Sequence, residues 1–105
     1  MVVNNMFYSP EALQDLDDIG DYITYELSSP LAAHNLLTEI TQTVDLLKNN
    51  PLMGASINSI ASIVSDYRFL VVKNYLIFYR YANNTIFIDR VLYSKSHYLS
   101  VLINQ

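Results

Sequence analysis

Cysteine is absent from the 105 residues, and histidine occurs twice, at His34 and His97. Disulfides and thiolate metal sites are therefore excluded, and nothing points to an oxidising compartment. Two imidazoles so far apart in the chain give no expectation of a metal site. The N-terminus, Met1-Val2-Val3-Asn4-Asn5-Met6, lacks both a basic region and a long apolar run. No later apolar run approaches the ~18 residues that a bilayer span needs. The expectation is a cytoplasmic protein with no membrane contact, no metal and no cofactor. Basic residues are scarce in the first part of the chain. Residues 1–65 carry eight carboxylates against Lys48 alone, a net of −7, whereas residues 66–105 carry five cations against Asp66 and Asp89, a net of +3. The total of −4 argues against a nucleic-acid partner, because phosphate contacts need a surplus of Lys and Arg. The asymmetry, acidic first and mildly basic second, shows where an anionic partner could dock, although acids collecting on solvated helices would give the same count.

One domain of this length, with no internal repeat, buries roughly 65% of its unfolded surface, enough for a core without staples. Residues 3–8 form a weak strand candidate. Ser9-Pro10-Glu11 then reads as an N-cap, a first-turn proline and a carboxylate against the positive end of the helix dipole. Leu13, Leu16, Ile19 or Gly20, Ile23 and Leu27 recur at helical spacing and predict a helix over 10–27. The carboxylates Asp15, Asp17, Asp18 and Asp21 are expected on its solvated side. Gly20 weakens the helix by ~1 kcal/mol relative to alanine, and it would let a second helix approach closely. Ser28-Ser29-Pro30 repeats the start signal, so the next helix must turn back on the first. Its stripe is Ala33, Leu36, Leu37, Ile40, Val44 and Leu47, and Lys48-Asn49-Asn50-Pro51 ends it. Residues 51–62 have no sustained period and read as a loop.

Three β-branched and aromatic runs follow, separated by Lys73-Asn74 and Asn83-Asn84. Both dipeptides suit two-residue hairpin turns, since asparagine tolerates positive φ. With such turns, Leu70 lies opposite Ile77, Ile77 opposite Arg90, Arg68 opposite Tyr79 and Tyr79 opposite Ile88. Arg68, Leu70, Tyr75, Ile77, Tyr79, Ile88, Arg90 and Leu92 then share one face; Tyr67, Phe69, Leu76, Phe78, Asp89 and Val91 share the other. Both faces are apolar, whereas a sheet with one wet face should alternate apolar and polar residues. Tyr98, Leu99, Leu102 and Ile103 predict a short tail helix over part of one face. The architecture expected is α+β, with two antiparallel N-terminal helices on a small antiparallel sheet and a short C-terminal helix. The surplus apolar surface predicts an external cover, with dimerisation or poor solubility in its absence.

The fragments Glu11-Ala12-Leu13-Gln14-Asp15-Leu16-Asp17-Asp18-Ile19, Asp21-Tyr22-Ile23, Pro51-Leu52-Met53-Gly54, Tyr67-Arg68, Phe78-Tyr79-Arg80 and Ile88-Asp89-Arg90-Val91-Leu92 occur in this order from about residue 7 to residue 99. Together they resemble the RelE/ParE superfamily of toxins from bacterial type II toxin–antitoxin pairs, which serve plasmid stabilisation and inhibit growth. The resemblance implies a small α+β toxin neutralised by a cognate antitoxin whose C-terminal segment wraps it. RelE-like members resemble ribosome-dependent endoribonucleases that cleave messenger RNA, using basic residues on the sheet and tail. ParE-like members keep the fold and poison DNA gyrase. Where the nuclease pattern places an arginine after the aromatic opening the middle strand, this chain has Tyr75-Leu76, and leucine cannot stabilise a phosphorane. Arg90-Val91-Leu92-Tyr93 is similar to the ParE-like Arg-Val-Leu-His, with tyrosine for histidine.

The ParE-like reading therefore leads, and it assigns no catalytic residue. It places target or antitoxin contacts at Arg68, Tyr75, Tyr79, Arg90 and Tyr93, with acidic partner residues reaching Arg68 or Arg90. The nuclease alternative would use Arg68, Arg90, Lys95, His97 and Tyr98, with His97 as general acid, and would take the ribosome and messenger RNA as partners. Its plainer counterpart has His97 exposed at the start of the tail helix and Tyr98 packed. A third possibility, suggested by Leu76, Tyr93 and the acidity, is a fold remnant without toxicity. Arg80 and Asp89 are expected to form a structural ion pair.

Overall fold

The computed structural model describes residues 4–60 and 65–103. Residue 3 of the strand candidate and residues 61–62 of the expected loop lie outside them. Five strands form one mixed sheet: β1 Asn5–Tyr8, β2 Ala55–Ser56, β3 Arg68–Val72, β4 Tyr75–Ala82 and β5 Thr85–Tyr93. The order is β1-β5-β4-β3-β2, with β1 parallel to β5 and every other neighbour antiparallel. The parallel strand departs from the all-antiparallel expectation. It follows from the route of the chain, because β1 leads through Ser9 directly into a helix that packs back over β5. The predicted loop contains β2 and a 3₁₀ turn, Ile57–Ser59, neither with a run long enough to show a period.

Ser9 starts α1, Pro10–Asp21, as predicted. Its Oγ accepts from the Ala12 N–H at 2.9 Å and donates to the Asp89 carbonyl at 2.7 Å, so the cap also fastens the helix to β5. Such a cap contributes about 1 kcal/mol. The helix continues as one wide π turn, Tyr22–Glu26, in which the Leu27 N–H reaches back to the Tyr22 carbonyl. Ser28 then takes φ 52° and reverses the chain into α2, Pro30–Asp45. The helices meet at Gly20, where an added methyl would lie 3.1 Å from Leu37 Cδ1, so the close approach expected of that glycine is present.

The buried side of α1 is Ala12, Asp15, Ile19 and Ile23, rotated from the predicted stripe and leaving Leu13 and Leu27 exposed. The rotation brings Asp15 inside, against the expectation that it faces solvent. Beneath the helices lie Leu70, Val72, Ile77, Tyr79, Ile86, Ile88 and Val91. The opposite face holds Phe69, Leu76 and Phe78, covered by Ile57 and by Leu102 of α3, Tyr98–Ile103. The chain therefore covers most of its second face itself, more than its tail suggested. Apolar residues left open on or near that face include Phe7 with Phe87, stacked at 6.3 Å, and Val71.

Register follows prediction along β3 and β4, with Arg68 opposite Tyr79 and Leu70 opposite Ile77. A bulge between Phe78 and Tyr79 then shifts the β4–β5 pairing, so Ile77 faces Val91 instead of Arg90, while Tyr79 still faces Ile88. One extra residue exchanges the faces beyond it. Val91 thereby joins the helix-side core and Leu92 the outer one, the reverse of the predicted sides. In the turns, Asn83 and Asn84 both take positive φ as expected; in the first hairpin Lys73, at φ 53°, does so and Asn74 does not.

Candidate functional site

Next to the bulge lies a closely held polar group. Arg90 reaches under α1, where its Nε donates to Asp15 Oδ2 at 2.7 Å and its Nη2 to Oδ1 at 2.8 Å. The Val91 N–H donates to the same carboxylate at 2.9 Å. Hydrogen bonding to Asp15 raises the Arg90 pKa, against the opposing effect of burial. A bidentate pair closed by a backbone donor fixes α1 against β5 and leaves Arg90 engaged inside the protein. Asp15 could have been suspected from its spacing, three residues after Ala12 and four before Ile19, once Ala12 is taken as a close-packing position.

A second polar cluster ties down the Pro51-to-Gly54 turn. Tyr79 is fully buried at 0% exposure, so it is no contact surface. Its hydroxyl accepts from the Gly54 N–H and donates to the Pro51 carbonyl, each at 2.9 Å. Burial raises the Tyr79 pKa, while the Gly54 hydrogen bond and the nearby Arg68 charge oppose it. Arg68 Nη1 donates to the Gly54 carbonyl at 2.7 Å, and no carboxylate pairs with Arg68 among the described residues. On the outer face Arg80 pairs with Asp89 at 2.7 Å, as expected, and lies over the Tyr67 ring at 5.5 Å.

The remaining candidates separate. Lys95 and His97 are exposed on the segment before α3. Tyr98 stacks on Phe78 at 5.6 Å and belongs to the outer core. Arg90 is held by α1 and Arg68 by the 51–54 turn, so the structure does not bring these two heads together. Tyr75 and Tyr93 do meet, edge to face, with centroids 5.7 Å apart. They stand at the mouth of a groove of about 1060 Å³ between α1, α2, the β3–β4 turn and the end of β5. Its floor includes Ile19, Ile23, Leu36 and Val91, and Asp18 and Tyr22 form part of the α1 wall. Burial raises the Tyr75 pKa, and the neighbouring Tyr93 and Tyr22 hydroxyls add to the shift. Tyr22 and Ile23 of the π turn line the groove beside Ala32, Asn35, Leu36 and Glu39 of α2. No periodicity in the sequence marks it, since its residues come from separate segments between Asp15 and Val101.

Such a groove is apolar, open and of a size that accepts a peptide segment or a large side chain, with polar groups at its rim. Among the described residues, no group of three or more His, Cys, Asp or Glu could hold a metal ion, and no helix is long and apolar enough to cross a membrane.

The family profile for the ParE toxin of type II toxin–antitoxin systems, parDE, matches residues 6–98. No curated protein matches the chain. Among solved structures, a chain from a chromosomal ParDE TA system of P. aeruginosa superposes with a TM-score of 0.75 at 23% identity, covering 90% of this chain and 100% of that one. At that identity the likeness concerns the fold, and it agrees with the helical hairpin and mixed sheet described above. The profile spans nearly all of the chain, and on that ground the protein belongs to the ParE toxin family of type II toxin–antitoxin systems.

Proposed function

We propose that this toxin acts by binding a protein, DNA gyrase, and that a cognate antitoxin neutralises it by occupying the groove beside α1. The observation carrying this reading is the groove itself, an open apolar trough whose nearby cations, Arg90 and Lys73, already have internal partners. Cleavage of RNA would need a base, an acid and a cation gathered about one phosphate. Arg90 is committed to Asp15, Arg68 holds the 51–54 turn, and Leu76 lies in the outer core. His97 and Lys95 are exposed on the segment before α3. With no antitoxin bound, the groove and the Phe7–Phe87 pair are the surfaces through which copies of the chain associate. Both proposed partners act in the cytoplasm, and the toxin is placed there with them.

The test sets purified toxin against gyrase in a supercoiling assay and, separately, against messenger RNA on ribosomes. Supercoiling is expected to fall with added toxin and recover with antitoxin, while the RNA stays intact. Ribosome-dependent cleavage abolished by Arg68→Ala or His97→Ala, with gyrase unaffected, would overturn the proposal in favour of the nuclease. Growth unchanged on induced expression, with neither assay responding, would reduce the chain to a remnant.

A further inference from the structure

Residues 1–47 contain no lysine or arginine, so the α1 wall of the groove carries only negative charge. Two of the groove's carboxylates are matched within the chain: Asp15 by Arg90, and Glu39 by Lys73 at 4.0 Å. Asp18 differs. The one hydrogen-bond partner of its carboxylate among the described residues is the neutral Gln14 amide, at 2.9 Å, and no cation pairs with it there. One helical turn further on, Tyr22 lines the same wall with 54% of its surface exposed. Tyr75 and Tyr93 contribute two further rings to the groove. Aromatic rings and an unmatched carboxylate lining one groove, above an apolar floor, have the chemistry of a site for an organic cation. One exposed carboxylate holds a small free cation weakly. A cation carried on a longer apolar segment gains the burial of its neighbours on Ile23 and Leu36 as well.

We propose that the groove receives an amphipathic partner segment whose lysine or arginine sits among the rings of Tyr22, Tyr75 and Tyr93 against the Asp18 carboxylate. The inference rests on the groove being a protein docking site and adds the charge of what docks. A segment bearing glutamate at that point meets the acidic wall and is repelled.

Two synthetic peptides of roughly 16 residues, alike in leucines at helical spacing, test it when titrated into the ¹⁵N-labelled full chain. One carries arginine beside the leucine stripe and the other glutamate. The arginine peptide is expected to shift the amides of Tyr22, Tyr75 and Tyr93 and to bind about tenfold more tightly than the glutamate peptide. Asp18→Asn and Tyr22→Leu should each weaken it about two- to fivefold, while Tyr22→Phe, which keeps the ring, retains its affinity. Both side chains are exposed, so these variants should fold, and their amide spectra report it. Equal affinity of the two peptides at the groove, or no loss in Asp18→Asn, overturns the cation assignment and leaves the docking site standing. Failure of both peptides to shift groove amides overturns the docking site itself.

Discussion

Asp15→Ala removes one carboxylate and strands two partners at once, the Arg90 guanidinium and the Val91 N–H. Side-chain exposure is 19% for Arg90 and 10% for Asp15, so solvent recovers little of the lost interaction. Removing one member of a buried pair costs about 3–5 kcal/mol, most of it the penalty of leaving the other charge buried alone. A domain of this size has about 5–15 kcal/mol in total, so the variant should be marginal, with its melting temperature lowered by at least about 12 °C. Urea denaturation followed by circular dichroism gives the stability directly. The double variant Asp15→Ala with Arg90→Ala leaves no unpaired charge and should cost less than the sum of the singles by about 1–3 kcal/mol. A loss below about 1 kcal/mol in Asp15→Ala, or strict additivity in the cycle, would refute the claim that this pair locks α1 to the sheet.

The two glycines should respond oppositely to alanine. At Gly54 the new methyl would lie 2.6 Å from Tyr79 Cε1 and 2.8 Å from the Phe69 carbonyl oxygen. The backbone cannot yield there, so a loss of about 2 kcal/mol or more is expected, and an unchanged urea midpoint would contradict it. At Gly20 only the Leu37 methyl is close, at 3.1 Å, and it can rotate aside. Helix propensity then makes Gly20→Ala neutral or stabilising by up to about 1 kcal/mol, and a clear loss would show that the helix contact is tighter. The Tyr8 hydroxyl is pushed up to about 12 by burial and, secondarily, by Asp45. Its pKa is raised on folding, so its contribution to stability is complete below pH ~10 and is lost as pH rises towards 12. Wild type should therefore lose more stability than Tyr8→Phe between pH 9 and 11, whereas parallel urea curves would remove Tyr8 from the alkaline transition.

Legibility in the sequence tracked local signals. Ser9-Pro10 and Ser29-Pro30 mark helix starts through cap and φ preferences of single residues, and both helices begin there. The α2 stripe from Ala33 to Leu47 and the Arg68–Tyr79 register survive because period and turn length determine them. What failed depends on partners distant in sequence. A single bulge at Asp89 exchanges the sides of Val91 and Leu92, and Asp89-Arg90 does not by type distinguish a bulge from a strand that continues in register. Asp15 looks like one more helix carboxylate until Arg90, 75 positions later, is placed beside it. Tyr79 is indistinguishable by type from Tyr93, yet the turn at 51–54 buries one and leaves the other at the groove. The fold was therefore largely readable, whereas the groove, lined by residues from separate segments, was not.

Hydrogen exchange of the toxin alone and in complex with its antitoxin tests most directly whether the groove is where the partner docks. Slowed exchange is expected at Tyr22–Leu27, around Tyr75 and at Tyr93, with little change at Phe7 and Phe87. Protection confined to the Phe7–Phe87 and Val71 surface, with the π turn exchanging as fast as in the free toxin, would contradict the account.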